Sequence, residues 1–135
     1  MPEITVNASL NEIRTATDFI NRQLTEAGCD EWFRIQIDVA IDEILSNIAR
    51  FAYHQKAGNA TVRFETENDP RNIVLTFIDR GTPYDPLTAA IPDISLPAKD
   101  RSIGGLGMFM VRKIMDDISY SYQDGQNILT VRKKY

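Results

Sequence analysis

The chain has 135 residues, 43% of them hydrophobic and 25% charged, which suits one globular domain with its own core and argues against disorder. Nineteen acidic residues against 15 basic ones give a formal charge of −4, which argues against broad, sequence-independent binding to nucleic acid. Cys29 is the single cysteine and His54 the single histidine, so there is no internal disulfide and no Cys/His metal cluster, and any metal must arrive with oxygen ligands.

Met1-Pro2-Glu3-Ile4 has no basic leader region and no apolar one, and no window approaches membrane-spanning length; the expectation is a cytoplasmic protein without membrane contact. Ile4 and Val6 alternate with polar neighbours as a short strand, and Ser9 with Glu12 makes a capping box for the helix after it. Leu10, Ile13, Ile20 and Leu24 give that helix an apolar stripe, and Gly28 closes it in the left-handed conformation. Asp30 caps a second helix. Its stripe, Phe33, Ile37, Ile41, Ile44 and Ile48, steps by threes and fours and carries it to about Tyr53. Thr61–Glu67 and Asn72–Asp79 read as a β-hairpin around the turn residues Asn68-Asp69-Pro70-Arg71.

From Thr82 to Ile103 no period is sustained and Pro83, Pro86, Pro92 and Pro97 intervene: a long loop with one short helical turn, of a length that in a compact domain is usually functional. Leu106, Phe109, Met110, Lys113 and Ile114 carry a third helix to Asp116 or Asp117. Ile118–Gln123 and Asn127–Arg132, joined by Asp124-Gly125-Gln126, form a closing hairpin. Strands in hairpins and helices as long separate pieces predict an α+β fold, a two-layer α/β sandwich in which a mostly antiparallel sheet carries helices on one face, with residues 1–135 as a single domain.

Three polar clusters stand in order along this frame. Glu43 and Asn47 are four apart and share a helix face, in a stripe Ala40-Glu43-Asn47-Arg50 turned about 100° from the core stripe. An amide oxygen there suits Mg²⁺ and a carboxylate one turn away suits proton transfer, although the spacing alone equally describes an exposed polar face. Arg50 is either a phosphate contact or a surface charge. Asp79 ends the apolar run Ile73–Ile78, so its carboxylate needs donors: an adenine amino group, or its own backbone in a turn. Gly81, two residues on, lets a flat base approach the main chain. Gly104-Gly105-Leu106-Gly107 runs into the third helix, where unpaired N–H groups and the positive end of the dipole favour phosphate. Arg101, just before it, either faces a transferred phosphoryl group or keeps the loop soluble. There is no G-x-x-x-x-G-K-[ST] P-loop.

Taken in order, Ile41-Asp42-Glu43-Ile44-Leu45-Ser46-Asn47, Asp79-Arg80-Gly81-Thr82-Pro83-Tyr84-Asp85-Pro86 and Gly104-Gly105-Leu106-Gly107-Met108 resemble the N, G1 and G2 boxes of the GHKL ATPase superfamily, and within it most the bacterial anti-sigma factor serine/threonine kinases. The resemblance implies a Bergerat ATP-binding sandwich with ATP and Mg²⁺ as cofactors. It implies Asn47 as the Mg²⁺ ligand, Glu43 as catalytic base, Asp79 on the adenine amino group and Thr130 as a further adenine contact. Arg50, Gly81, Gly104, Gly105, Leu106, Gly107 and Met108 complete the implied nucleotide set, residues 86–103 become an ATP lid, and Arg101 faces the terminal phosphate. Implied partners are an anti-anti-sigma protein, phosphorylated on serine or threonine, and a sigma factor that is sequestered, with the kinase a homodimer that makes no direct contact with nucleic acid. Phe51 stands where these kinases usually carry a histidine, and Arg50-Phe51 resembles the basic-aromatic pair of histidine kinases. Two other readings therefore stand beside the kinase: a non-catalytic ATP-binding regulatory module, and a detached histidine-kinase-type catalytic domain. His54, with no helical dimerisation segment before it, reads as a solvated helix-end residue rather than a phosphoacceptor.

Overall fold

Two hairpins and one lone strand build the sheet of the computed structural model, which describes residues 2–54, 56–88 and 105–135, the Gly105 and Leu106 side chains excepted. Strand β1 is Glu3–Asn7, and helices α1 (Ile13–Glu26) and α2 (Glu31–Asn47) come after it. The hairpin of β2 (Asn59–Glu67) and β3 (Asn72–Asp79) comes next, then helix α3 (Gly105–Ile114) and the hairpin of β4 (Asp117–Gln123) and β5 (Gln126–Lys134). The strand order is β1-β2-β3-β5-β4, every neighbouring pair antiparallel. The chain leaves the sheet after β3, returns at the far edge as β4 and folds back, so β5 lies against β3 and Asp79 faces Asn127 across the ladder.

One face of the sheet is covered. Ala60, Val62 and Phe64 of β2, Ile73, Leu75 and Phe77 of β3, and Leu129 and Val131 of β5 meet the stripes of α1 and α2 and, at α3, Met108, Val111 and Met115 in one core; α3 thus turns inward a face other than the expected one, and Met110 is exposed. The stripe Phe33, Ile37, Ile41, Ile44 and Ile48 is buried along its whole length, each side chain contributing about 1.5–3 kcal/mol. Asp30 accepts the Phe33 N–H at 2.8 Å, the expected N-cap, and Gly28 ends α1's turn at φ +87°. Asp124 and Gly125, at φ +54° and +77°, make the two-residue turn between β4 and β5. Helix α2 sits between α1 and α3. No helix among the described residues is long and apolar enough to cross a membrane.

The entry to α1 and the end of α2 differ from expectation. Ser9 makes no side-chain cap; a 3-10 turn, Leu10–Glu12, intervenes, and Glu12 reaches instead to Asn7, accepting its backbone N–H at 3.0 Å and its Nδ2 at 2.6 Å. That turn throws Leu10 outward, 69% exposed, and removes it from the stripe. Helix α2 stays α-helical to Asn47 and finishes as a π-helical turn, Ile48–Ala52, whose extra residue rotates the chain beyond it. His54 is exposed at φ +50° past that turn.

Candidate functional site

The end of α2 and the start of its π-helical turn meet the ends of β3 and β5 and the first turn of α3 around one cavity. Asn47, Asp79, Met108 and Asn127 line it with Phe77, Leu129, Tyr84 and Tyr120. Its free space is small, 20 Å³, about what one water needs, so a planar ring would fit only by displacing a side chain. Tyr84, on the loop after β3, is the wall residue outside any helix or strand, stacked on Phe51 with ring centroids 5.1 Å apart.

Asn47 is 3% exposed, and among the described residues neither its Oδ1 nor its Nδ2 has a hydrogen-bond partner. Buried amides are normally satisfied, and an orphaned one costs about 1–3 kcal/mol. Glu43, one turn earlier, is half-buried and does not line the cavity. Its carboxylate lies against Gly107 in the first turn of α3, where a Cβ on Gly107 would collide with Glu43 Oε2. The missing side chain at 107 thus lets an acid rest at the positive end of a helix.

At the opposite side of the cavity the polar groups are tied together. Asp79 Oδ1 accepts from Gly81 N at 2.9 Å and from Asn127 Nδ2 at 2.8 Å. The first bond is the turn considered for this residue; both bonds end on Oδ1, and Oδ2 has no hydrogen-bond partner among the described residues. Burial pushes the Asp79 carboxyl above the ordinary aspartate value, while the Asn127 and Gly81 donors pull it back. Gly81 is a glycine for packing: a Cβ there would stand 2.5 Å from the Ala52 carbonyl oxygen, and Thr82 N donates to that same oxygen at 2.7 Å. Tyr53 ties this corner down, its hydroxyl accepting from Arg80 N at 2.8 Å and donating to the Asn59 carbonyl at 2.7 Å.

Asn47, Asp79 and Met108 therefore share the cavity, with Glu43 and Gly107 in contact beside it. Gly81 buttresses Asp79 from behind. Arg50 donates Nε to the Ser46 carbonyl at 3.4 Å and holds its guanidinium 6.0 Å from the Phe51 ring, close enough to act on the Tyr84 phenol. Gly105 opens α3, whereas Gly104, Arg101 and residues 89–103 of the expected lid lie outside the described residues, as does the Leu106 side chain. Thr130 is not part of the cavity wall. It pairs with Thr76 and Ser119, between Leu129 and Val131, whose side chains face the helices, so its own points to the other side of the sheet. The strand contributes Asn127 instead, 4% exposed, which the sequence reading passed over. Its signal was a polar residue in phase with Leu129 and Val131, at a core-facing position of a strand where asparagine is disfavoured.

The profile of the histidine kinase-like ATPase domain matches residues 6–133. The chain is 32% identical over 123 residues to the serine/threonine-protein kinase BtrW of Bordetella bronchiseptica, covering 87% of this chain and 84% of that one. It is 29% identical over 98 residues to the serine-protein kinase RsbW of Bacillus cereus, covering 70% of this chain and 60% of the relative. A solved structure of the RsbU and RsbW domains of Rv1364c from Mycobacterium tuberculosis superposes with a TM-score of 0.64 over 99% of this chain and 32% of that one. At 19% identity this last likeness is one of fold.

Proposed function

This chain belongs to the histidine kinase-like ATPase domain family, and from that premise we propose that it is an ATP-dependent protein serine/threonine kinase of the anti-sigma type, which phosphorylates an anti-anti-sigma protein and otherwise sequesters a sigma factor. The observation that carries the reading is Asn47: a buried amide without a partner among the described residues, one turn from Glu43, on the cavity that also holds Asp79. A hard carbonyl oxygen held ready in this way fits Mg²⁺, which takes few protein ligands and completes its shell with water and phosphate oxygens. Bound with ATP, the ion would offset charge on the transferred phosphoryl group.

Every other role falls to the chain's own residues. Asp79 Oδ2 accepts the adenine amino group while Phe77, Met108 and Leu129 supply apolar walls for the ring. The N–H groups at Gly105 and Gly107, at the start of α3, receive phosphate oxygens, as Gly104 would just before them. Glu43, beside Gly107, orients the substrate hydroxyl and takes its proton. Arg101 and Arg50 compensate phosphate charge, residues 86–103 fold over the nucleotide as a lid, and residues 1–135 act as one domain in a cytoplasmic homodimer. Support for protein phosphorylation comes from the two relatives, both of them protein kinases by name.

Incubating the chain with labelled ATP, Mg²⁺ and a candidate anti-anti-sigma protein tests the reading; acid-stable phosphoserine or phosphothreonine is expected. Glu43→Gln should lower transfer by roughly 10²–10⁴-fold with ATP still bound. Tight nucleotide binding with no phosphoprotein would favour the non-catalytic module, and an acid-labile product the histidine-kinase type.

A further inference from the structure

Asn127 is more completely bonded than its place in a strand requires. Its Oδ1 accepts the Tyr84 backbone N–H at 3.1 Å and the Tyr120 hydroxyl at 2.5 Å, while its Nδ2 donates to Asp79 Oδ1 at 2.8 Å and to the Thr82 carbonyl at 3.0 Å. A backbone N–H can only donate and a carbonyl can only accept, so Tyr84 and Thr82 together fix which end of the amide is oxygen. The end facing Asp79 is therefore a donor, and Asp79 must meet it with an unprotonated oxygen.

We propose that Asn127 is a positioning residue that sets base specificity: by engaging Oδ1 of Asp79 it keeps Oδ2 an acceptor toward the cavity, so the site takes a 6-amino purine and turns away a 6-oxo purine. The proposal rests on the nucleotide reading above and deepens it. A proton gained by Asp79 would sit on Oδ2, because Oδ1 already receives Gly81 N and Asn127 Nδ2, and Oδ2 would then donate to a 6-oxo group. Burial drives Asp79 in that direction and the Asn127 donor opposes it. The other titratable groups facing Asp79 across the cavity are the phenols of Tyr84 and Tyr120, both raised by burial above the ordinary tyrosine range. Arg80 is next to it in the chain, and Arg50 and Asp85 lie nearer Tyr84. Phenols and guanidinium groups keep their protons between about pH 5 and 8, so a change in base preference within that window belongs to a carboxyl.

The test measures ATP and GTP affinity by displacement of a fluorescent ATP analogue, from pH 5.5 to 8, for the wild type and for Asn127→Leu, with folding checked by circular dichroism. The leucine variant should lose roughly tenfold or more of its preference for ATP over GTP, as removal of a hydrogen bond to a charged group implies. The fall in its ATP affinity on acidification should begin at a higher pH, because removing a donor raises the carboxyl further and ATP needs it ionised. Asn127→Ser, whose hydroxyl still donates, should recover part of the preference. Equal weakening of both nucleotides with the pH profile unmoved would mean a merely structural role and overturn the proposal, as would an unchanged preference. A wild type that binds neither nucleotide would remove the nucleotide reading itself, a separate failure. Should the leucine variant not fold, Asn127→Ala, whose vacated space admits a water, is read by the same criteria.

Discussion

The two ends of the cavity are equally buried and differ in what the fold has already satisfied. At one end Asp79 and Asn127, both 4% exposed, are held by Gly81, Thr82, Tyr84 and Tyr120; at the other, the side chain of Asn47, 3% exposed, bonds to none of the described residues. A satisfied network fixes a shape whether or not a ligand is present. An orphaned amide lowers the stability of the folded chain, and that cost is recovered only when something binds. On the proposed nucleotide reading the Asp79 side is the base end, already shaped by the fold, and the Asn47 side is a deficit that a ligand would complete.

Asn47→Leu should separate the two ends most sharply. Exchanging an unbonded amide for an apolar side chain of similar size removes the deficit, so the variant should be more stable than the wild type by about 1–3 kcal/mol, several degrees in a thermal-shift assay. Mg-ATP, which must raise the wild-type melting temperature if it binds, should then raise the variant's little or not at all. A destabilised variant would mean that the Asn47 amide is satisfied after all, and the contrast between the ends would disappear.

A smaller effect is expected at the base end from Asp79→Asn, with the pH dependence as its signature. Burial raises the Asp79 carboxyl in the folded state, so the native protein binds this proton more readily than the unfolded chain does. The stability this contributes is present below the unfolded value and is lost as pH rises through the raised folded one. The substituted amide still accepts from Gly81 and Asn127 without carrying a charge, so the variant should melt above the wild type near pH 7, and the difference should shrink as the pH is lowered toward 4. ATP affinity should fall at the same time, since an amide N–H₂ can take the place of the free oxygen. Melting curves that stay parallel from pH 4 to 7 would contradict the shift and with it the cost of keeping Asp79 ionised.

Much of this was legible in the sequence because it is local. Periodicity placed Phe33 through Ile48 on one face, Asp30 and Gly28 marked the helix boundaries, and turn residues marked both hairpins. Asn47 and Asp79 fell in one cavity as expected because each sits at the end of an element that the pattern already defined. What was missed depended on pairings between distant segments. Choosing Asn127 rather than Thr130 requires the register of β5 on β3, set across 48 residues by the Asp124-Gly125 turn and by which strand lies at the edge. Ser9 and Glu12 fitted a local capping rule, but Asn7 at the end of β1 competed for the same carboxylate and won. The π-helical turn after Asn47 has no apolar signature either, since the Ile48 position is buried whether the next turn is α or π.

The smallest effect is expected from Tyr53→Phe, which asks whether the base end depends on its outer fastening. The Tyr53 hydroxyl bridges Arg80 N, just past Asp79, to the Asn59 carbonyl at the start of β2, while its ring covers Gly58, where an added Cβ would run into it. Removing the hydroxyl leaves the ring in place and frees one N–H and one carbonyl, both in hydrogen bonds open to solvent, so water can replace it at a cost of about 1 kcal/mol or less. A fall of a few degrees in melting temperature, with ATP affinity and the preference over GTP unchanged, is expected, because Asp79 is still held by Gly81 and Asn127. A loss of ATP affinity larger than that stability change would place the rigidity of the base end in Tyr53 rather than in the Asn127 network, since two bonds inside the cavity would have failed to hold the carboxylate once a third, outside it, was gone.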